Sequence, residues 1–233
     1  MATRSHHESG VDRNRAKVPR AGHHPRVLIT GACRGVGHSC AEALAARGAE
    51  LVLCDNDMPS LIDVADALGA DCRHCDVSSD ASVASLAADI AKQYASLDMV
   101  INAAGGGYER TLGTYRVSRA LIPLLQRGAL KLLLNVPPPV ADSGMAIFPY
   151  ASSRLAFSRL SAALAFEARG TSITVLIGCP KERRLAQVLP DPNAGTWVET
   201  CDLGRPDRED VLTLAWQVAS LVGRHAARER YAG

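Results

Sequence analysis

The chain has 233 residues, a formal net charge of +2 and 47% hydrophobic residues. That is enough for one domain with a proper core, and it leaves no global electrostatic footprint for nucleic acid. No run approaches the roughly 18 apolar residues of a membrane span, so a transmembrane role is not expected.

The charge is uneven. Residues 1–26 carry six Lys/Arg against Glu8 and Asp12, a local +4 that leaves about −2 for the rest. Residues 1–25 lack apolar periodicity and read as a flexible basic tail. A transit peptide would avoid acids and show an apolar face; binding to polyanions is a further alternative. The seven cysteines are odd in number, and no signal-peptide pattern precedes them. Free thiols in a reducing cytoplasm are therefore expected. Cys72-Arg73-His74-Cys75 is a lone Cys-x-x-Cys. Zinc sites normally use two such knuckles or well-placed histidines, so these residues read as part of a strand and its end.

From Arg26 onward, apolar runs of strand length alternate with helical patterns. Residues 26–30 read as a buried strand and 37–48 as a helix. Strand 50–54, helix 59–68, short strand 72–75 and helix 80–94 come next. In helix 80–94, Val83, Leu86 and Ile90 fall at helical spacing. Then come strand 99–103, helix 112–127, strand 130–136, helix 150–169, strand 173–178 and, after Pro206, a final helix at 207–222. This alternation predicts βαβ units and a parallel sheet covered on both faces: an α/β, Rossmann-like, doubly wound single domain over 26–233, with about six strands.

The first strand runs into Thr30-Gly31-Ala32-Cys33-Arg34-Gly35-Val36-Gly37, ahead of a predicted helix. That is the context a dinucleotide-binding turn requires. Gly31 permits a tight turn, Gly35 lets the backbone approach a pyrophosphate, and Gly37 allows close helix–strand packing. The helix N-terminus offers N–H groups and partial positive charge to phosphates. The second strand leads at once into Asp55, 18 residues after Gly37. A carboxylate there accepts ribose hydroxyls and repels a 2′-phosphate, favouring NAD(H) over NADP(H). Arg34 pulls the other way, because it is placed to pair with that phosphate. Asp55 carries more weight because its charge would lie at the ribose. As a plain loop acid, Asp57 is an equal candidate.

These residues, with three further segments, resemble the short-chain dehydrogenase/reductase family. Asp76-Val77 after the third strand resembles its adenine-contacting Asp. Asn102-Ala103-Ala104-Gly105 resembles its Asn-Asn-Ala-Gly motif, and the segment from Gly113 to Pro123 is also similar. The resemblance runs from about residue 26 to about 219. It implies a single Rossmann-like domain, a nicotinamide cofactor, and a homodimer or homotetramer.

By the same resemblance, Tyr150 is the acid/base of hydride transfer, and Arg154 stands where the family has Lys. A phenol near pKa 10 is a poor base at neutral pH, and a nearby cation makes it a better one. Arginine supplies the charge from the same helix face, yet it does not release a proton and its fork differs in shape from an ammonium. Asn135-Val136-Pro137-Pro138 lies where the family has Asn-Ile-Ser-Ser, so a proline replaces the serine donor; Ser143 is a distant substitute. Arg110 falls nearest the family's Asn, and only seven residues separate Gly105 from Gly113, so most of the usual helix and loop there is missing. Cys179-Pro180-Lys181 replaces the family's Pro-Gly step, and Leu185 falls at its Thr position. Residues 181–200 read as a short loop, and the family's last strand as absent.

Two functional readings result. The first is an NAD(H)-dependent oxidoreductase acting on a small alcohol or carbonyl compound through Tyr150 and Arg154. The alternative is a catalytically inactive relative that binds a dinucleotide or partners an active homologue in a hetero-oligomer. Small residues on the helix from Tyr150 would suit close packing in a dimer. Nucleic-acid binding through the basic tail is a third reading, to be tested by its salt sensitivity.

Overall fold

Residues 24–104, 107–137, 147–179 and 184–188 are described in the computed structural model. The expected tail, apart from residues 24 and 25, and the expected helix at 207–222 lie outside the described residues. Strand β1 (Arg26–Thr30) buries every residue after Arg26. Val27 and Ile29 enter one apolar cluster, and Leu28 enters another. A strand that is apolar on both faces needs cover on both, which a parallel sheet between helix layers supplies.

The remaining elements run in the order α1 (Gly35–Ala45), β2 (Glu50–Asp55), α2 (Met58–Leu68), β3 (Asp71–His74), α3 (Asp80–Gln93), β4 (Met99–Asn102), α4 (Gly107–Leu125), β5 (Leu132–Asn135), α5 (Ile147–Glu167), β6 (Thr174–Cys179) and β7 (Arg184–Val188). The sheet order is β3-β2-β1-β4-β5-β6-β7. The first six strands pair in parallel. This is the expected Rossmann-like sheet, in a single domain.

β7 departs from that expectation. It pairs antiparallel with β6, Gly178 lying opposite Leu185. The sequence predicts about six strands, with a loop over 181–200. The outer edge of β6 explains the addition: its unpaired backbone groups accept a returning strand after a short connection. Five residues suffice, too few to show a periodicity. The segment after residue 188, where the family's last strand would be sought, lies outside the described residues.

Leu44 of α1 and Leu61 of α2 cover one face; Leu86 of α3, Leu121 of α4 and Leu164 of α5 cover the other. Each such leucine removed from water stabilises the fold by about 1.5–3 kcal/mol. On α3, Val83, Leu86 and Ile90 form the expected single buried stripe. The ends of α2 are set by its sequence. Asp57 caps its start, a proline sits in the first turn, and Gly69 closes it at φ 62°. At the N-terminal edge of the sheet, Asp98 is 2% exposed. Its Oδ2 accepts the Arg26 N–H at 2.9 Å and its Oδ1 the Ala129 N–H at 2.7 Å. Those bonds offset the cost of burying a carboxylate and tie β1 to the connection before β5.

Four helices begin earlier than predicted, α1 and α2 by two residues and one, α4 and α5 by more. α4 starts at Gly107 rather than 112, so it takes up most of the short stretch between Gly105 and Gly113. Gly107, Tyr108, Glu109 and Arg110 carry no apolar spacing, which hid its first turn. α5 starts at Ile147 rather than 150, with Pro149 tolerated in the first turn, where its missing N–H is not needed. Among the described residues, no helix is long and apolar enough to cross a membrane.

Candidate functional site

The strand order reverses between β1 and β4, whose C-terminal ends lie side by side with Thr30 opposite Asn102. In open α/β sheets, ligands bind in the crevice at such a reversal. The glycine-rich turn and the Asn102–Ala104 segment leave the sheet at that point, as their positions in the sequence require.

The turn is gripped from both sides. The N–H groups of Gly31 and Ala32 donate to Cys54 O at 2.8 and 3.3 Å. The Thr30 hydroxyl oxygen accepts from the N–H groups of Ala103 and Ala104 at 3.2 and 3.3 Å. Each glycine has its own reason. Gly31 has φ +72°, and a Cβ there would stand 2.7 Å from the Ala103 backbone. A Cβ on Gly37 would stand 2.2 Å from Gly31 O. Gly35, at φ +60°, faces open space within 4 Å, as a backbone approached by a ligand should.

Helix α1 opens on this space, with Arg34 as N-cap residue, no side-chain cap and no acid in its first turn. By contrast, α2 is capped by Asp57 and α3 by Ser79. The first-turn N–H groups and positive end of α1 therefore meet no side-chain acceptor, which is the arrangement an anion needs.

Asp55, at the end of β2, is 8% exposed. Its Oδ2 accepts the Cys33 N–H at 3.2 Å, and its Oδ1 accepts those of Asn56 at 2.8 Å and Asp57 at 3.3 Å. The carboxylate thus staples the glycine turn to the next one. Three donors leave room for one more on its two oxygens. Asp57 accepts from the Ser60 N–H and hydroxyl, which hold its carboxyl below the usual range, and Arg34 Nη2 lies 3.7 Å from its Oδ2. Cys33 donates its thiol to Asp57 O at 3.6 Å; burial, together with the nearby Asp55 and Asp57, pushes that thiol up to about 12. It is a neutral donor and not a nucleophile at neutral pH.

Asp76 lies just after β3. Its Oδ1 accepts the Ser78 hydroxyl at 2.7 Å and the Ser78 N–H at 2.9 Å, which lower its pKa. Val77 wedges against α4, where a Cβ on Gly113 would stand 2.7 Å from its side chain. This contact explains the glycine at that position.

Asn102 is buried in a polar row across the sheet. Its amide donates to Ser118 Oγ at 2.9 Å and to Asn135 Oδ1 at 3.0 Å. Asn135 in turn donates to Ser161 Oγ at 3.1 Å, and the Ser118 hydroxyl donates to Thr114 O at 2.6 Å. β4, β5, α4 and α5 are joined through one pair of amides. Tyr150 and Arg154 lie on α5, four residues apart, in the stretch preceding Ser161. Gly105 and Ser143 fall outside the described residues, and Leu185 lies in β7.

The family model described as short chain dehydrogenase matches residues 25–184. The chain belongs to the short-chain dehydrogenase family. It is 29% identical over 238 residues to the 3-oxoacyl-(acyl-carrier-protein) reductase of rhamnolipid biosynthesis from Pseudomonas aeruginosa, a match covering 85% of this chain and 90% of that one. It is 30% identical over 194 residues to the L-fucose dehydrogenase of Oryctolagus cuniculus, covering 72% and 68%. Among solved structures, the RhlG/NADP active-site complex of Pseudomonas aeruginosa superposes with a TM-score of 0.60 at 26% identity, covering 88% of this chain and 94% of that one. The relatives of this chain thus include a 3-oxoacyl reductase and a dehydrogenase.

The structure brings Gly31, Arg34, Gly35, Val36, Gly37, Asp55 and Ala103 together around one crevice. Sequence reasoning gave no role to the Thr30 hydroxyl, the Cys33 N–H or the row from Ser118 to Asn135, and took Ser161 as a small residue for packing in a dimer, whereas it is buried and bonded to Asn135. Serines at helical positions and asparagines at strand ends were the available signal, but only the pairing of β4 with β5 shows that they meet. Among the described residues, no three His, Cys, Asp or Glu side chains gather as metal ligands.

Proposed function

We propose that this short-chain dehydrogenase binds NAD(H) in preference to NADP(H) and transfers hydride to or from a small carbonyl or alcohol, with Tyr150 as acid/base. The observation that carries the reading is the uncapped start of α1 behind the open Gly35, set at the reversal of strand order. The residues present fit a dinucleotide. The α1 N–H groups would hold its pyrophosphate, Asp55 a ribose hydroxyl, and Asp76 with Val77 the adenine. Asn102, Ala103, Ala104 and Gly105 would line its far side. When bound, the nicotinamide supplies the hydride or accepts it.

The chain's own residues move the proton. Tyr150 gives a proton to the carbonyl oxygen in reduction and takes it back in oxidation. Arg154, at the position where the family resemblance implies Lys, would supply the positive charge for that step. Proline at residue 137 provides no side-chain donor, so the Tyr150 hydroxyl would act without the serine that the family resemblance implies. Self-association through α4 and α5 accompanies this reading, because Phe166 on α5 is 40% exposed beside small residues such as Ala162 and Ala163.

The test is titration of nucleotide-free protein with NADH and NADPH, monitored by nicotinamide fluorescence. A screen of 3-oxoacyl thioesters and fucose, the substrate classes named for its relatives, comes next. Tyr150→Phe should lower turnover by roughly 10²-fold or more while sparing NADH affinity. Full activity in that variant rejects the Tyr150 role. NADH binding without turnover of any carbonyl in the wild type favours the inactive alternative.

A further inference from the structure

In a parallel α/β sheet each helix runs back to the edge where the next strand begins, so the negative ends of the helices gather along one side of the molecule. That edge lies opposite the glycine-turn crevice. Arg47 follows α1, Arg127 follows α4 and Arg169 follows α5, each placed where a helix C-terminus favours a cation. Lys131, the residue before β5, joins them at φ 54°. The three arginines are exposed and Lys131 is part-buried. None of the four forms an ion pair among the described residues. Backbone bonds hold the connections of this edge to one another: Glu50 N–H donates to Pro25 O at 3.0 Å, Leu97 N–H to Leu124 O at 3.2 Å and Thr174 N–H to Lys131 O at 2.9 Å. From β2 to β6 there are four strand spacings of about 4.8 Å, so the cations are spread over about 19 Å. The acids nearby are largely engaged. Glu50 Oε2 accepts from Arg26 at 2.5 Å, and Asp98 is buried against two N–H groups, which leaves Asp66 of α2 and Glu167 of α5.

The chain also enters the fold at this edge. His24 Nδ1 lies 2.7 Å from Gly48 O, beside Arg47. Ahead of His24 the sequence places Arg4, Arg13, Arg15, Lys17 and Arg20 against Glu8 and Asp12. The basic residues of the segment and those of the fold thus meet at one place, which the formal net charge of +2 for the whole chain conceals. We propose that this edge, with the basic segment leading into it, is a binding surface for the phosphate backbone of nucleic acid. Charge carries the interaction: each phosphate met by a lysine or arginine releases condensed counterions, and no base-reading element is needed. An anionic lipid surface is less well matched, because binding there is completed by apolar side chains that enter the interface. Among the described residues the exposed large hydrophobics are Ile62 on α2 and Phe166 on α5, and neither lies in the connections that carry the cations. The crevice is at the other edge of the sheet, so the inference stands apart from the dinucleotide reading.

The test is fluorescence anisotropy of a short labelled DNA duplex and a short labelled single-stranded RNA, titrated with the full-length protein at rising salt. The logarithm of affinity should fall linearly with the logarithm of salt, by roughly 0.9 for each duplex phosphate neutralised and roughly 0.7 for each single-stranded one. Arg127→Gln combined with Lys131→Asn should make the duplex slope shallower by roughly 1.8. Asparagine suits the left-handed backbone at residue 131, and thermal unfolding checks that the variant is folded. Arg13→Gln, Arg15→Gln, Lys17→Gln and Arg20→Gln together should reduce the slope further. A slope that the Arg127 and Lys131 substitutions leave unchanged overturns the proposal, since the fold would then contribute nothing. Affinity that does not respond to salt also overturns it. If the folded wild type binds neither nucleic acid at low salt, whether or not it binds phosphatidylserine vesicles, the proposal falls.

Discussion

The first two β-to-α turns lie side by side and are built of opposite materials. Between β1 and α1 the chain has glycines, no acid in the first helical turn and no side-chain cap. Between β2 and α2 it has Asp55, Asn56 and Asp57, with a proline just behind them. The second turn consumes its own polar groups: Asp55 takes three backbone N–H donors, and Asp57 takes both donors of Ser60. The first turn leaves the positive end of its helix without a side-chain acceptor. Rigidity comes from the acidic turn and ligand capacity from the glycine turn. The Asp55 bond to Cys33 N–H is where one supports the other.

Collapsing the glycine turn should have the largest effect. In Gly37→Ala the new Cβ meets Gly31 O at 2.2 Å, a backbone atom that cannot swing aside. A loss of about 1–3 kcal/mol in unfolding free energy is expected, together with loss of NADH binding. Denaturant titration and fluorescence measure the two. Normal stability with normal affinity would show that the close approach is unnecessary.

Removing the staple comes next. Asp55→Ala strips a buried acceptor from three part-buried N–H groups and should cost about 1–3 kcal/mol. It should also weaken NADH and narrow the preference over NADPH. An unchanged ratio would confine Asp55 to holding the turn, which would sharpen the division of labour between the two turns.

Smaller again is the cap. Asp57→Ala should lower stability through α2, whereas Asp57→Asn should leave it nearly unchanged. The pH response stems from the depressed carboxyl. Ser60 holds the Asp57 pKa below its usual value in the folded state. Its stabilisation is then fully present above the unfolded value, about 3.9, and is lost as pH falls through the lower folded value. Asp57→Asn should flatten that part of the acid-unfolding curve. An acid limb that Asp57→Asn leaves unchanged would assign acid unfolding to other carboxyls.

The parallel core was legible in the sequence because its signals are local. Val27 to Ile29, Leu51 to Cys54 and Met99 to Ile101 are apolar runs of strand length, and each is bounded by a turn. Glycine spacing likewise announced the first turn, since Gly31, Gly35 and Gly37 each answer a constraint that only backbone geometry imposes. β7 was not legible, because pairing to an existing edge asks little of five residues. The start of α4 was hidden for a related reason: Gly107 to Arg110 have no apolar stripe, and the helix they open is set by the apolar positions from Val117 onward. At the site, the sequence offered Asp55 and Asp57 as equal candidates for a loop acid. Burial and capping separate them: Asp55 is buried against Cys33 from the neighbouring turn, distant in sequence, whereas the Asp57 cap is a local contact with Ser60. The polar row from Ser118 to Ser161 needs two strands and two helices brought together, which no local pattern encodes.

That row has a consequence for the environment in which the protein works. The bridge from α4 to α5 through Asn102 and Asn135 uses hydroxyls and amides only. None of these groups titrates between acid and alkaline extremes, and none is an ion that dissolved salt would screen. That link between the two helices is therefore insulated from changes of pH and ionic strength. The Arg34–Asp57 corner, being charged and exposed, remains open to both.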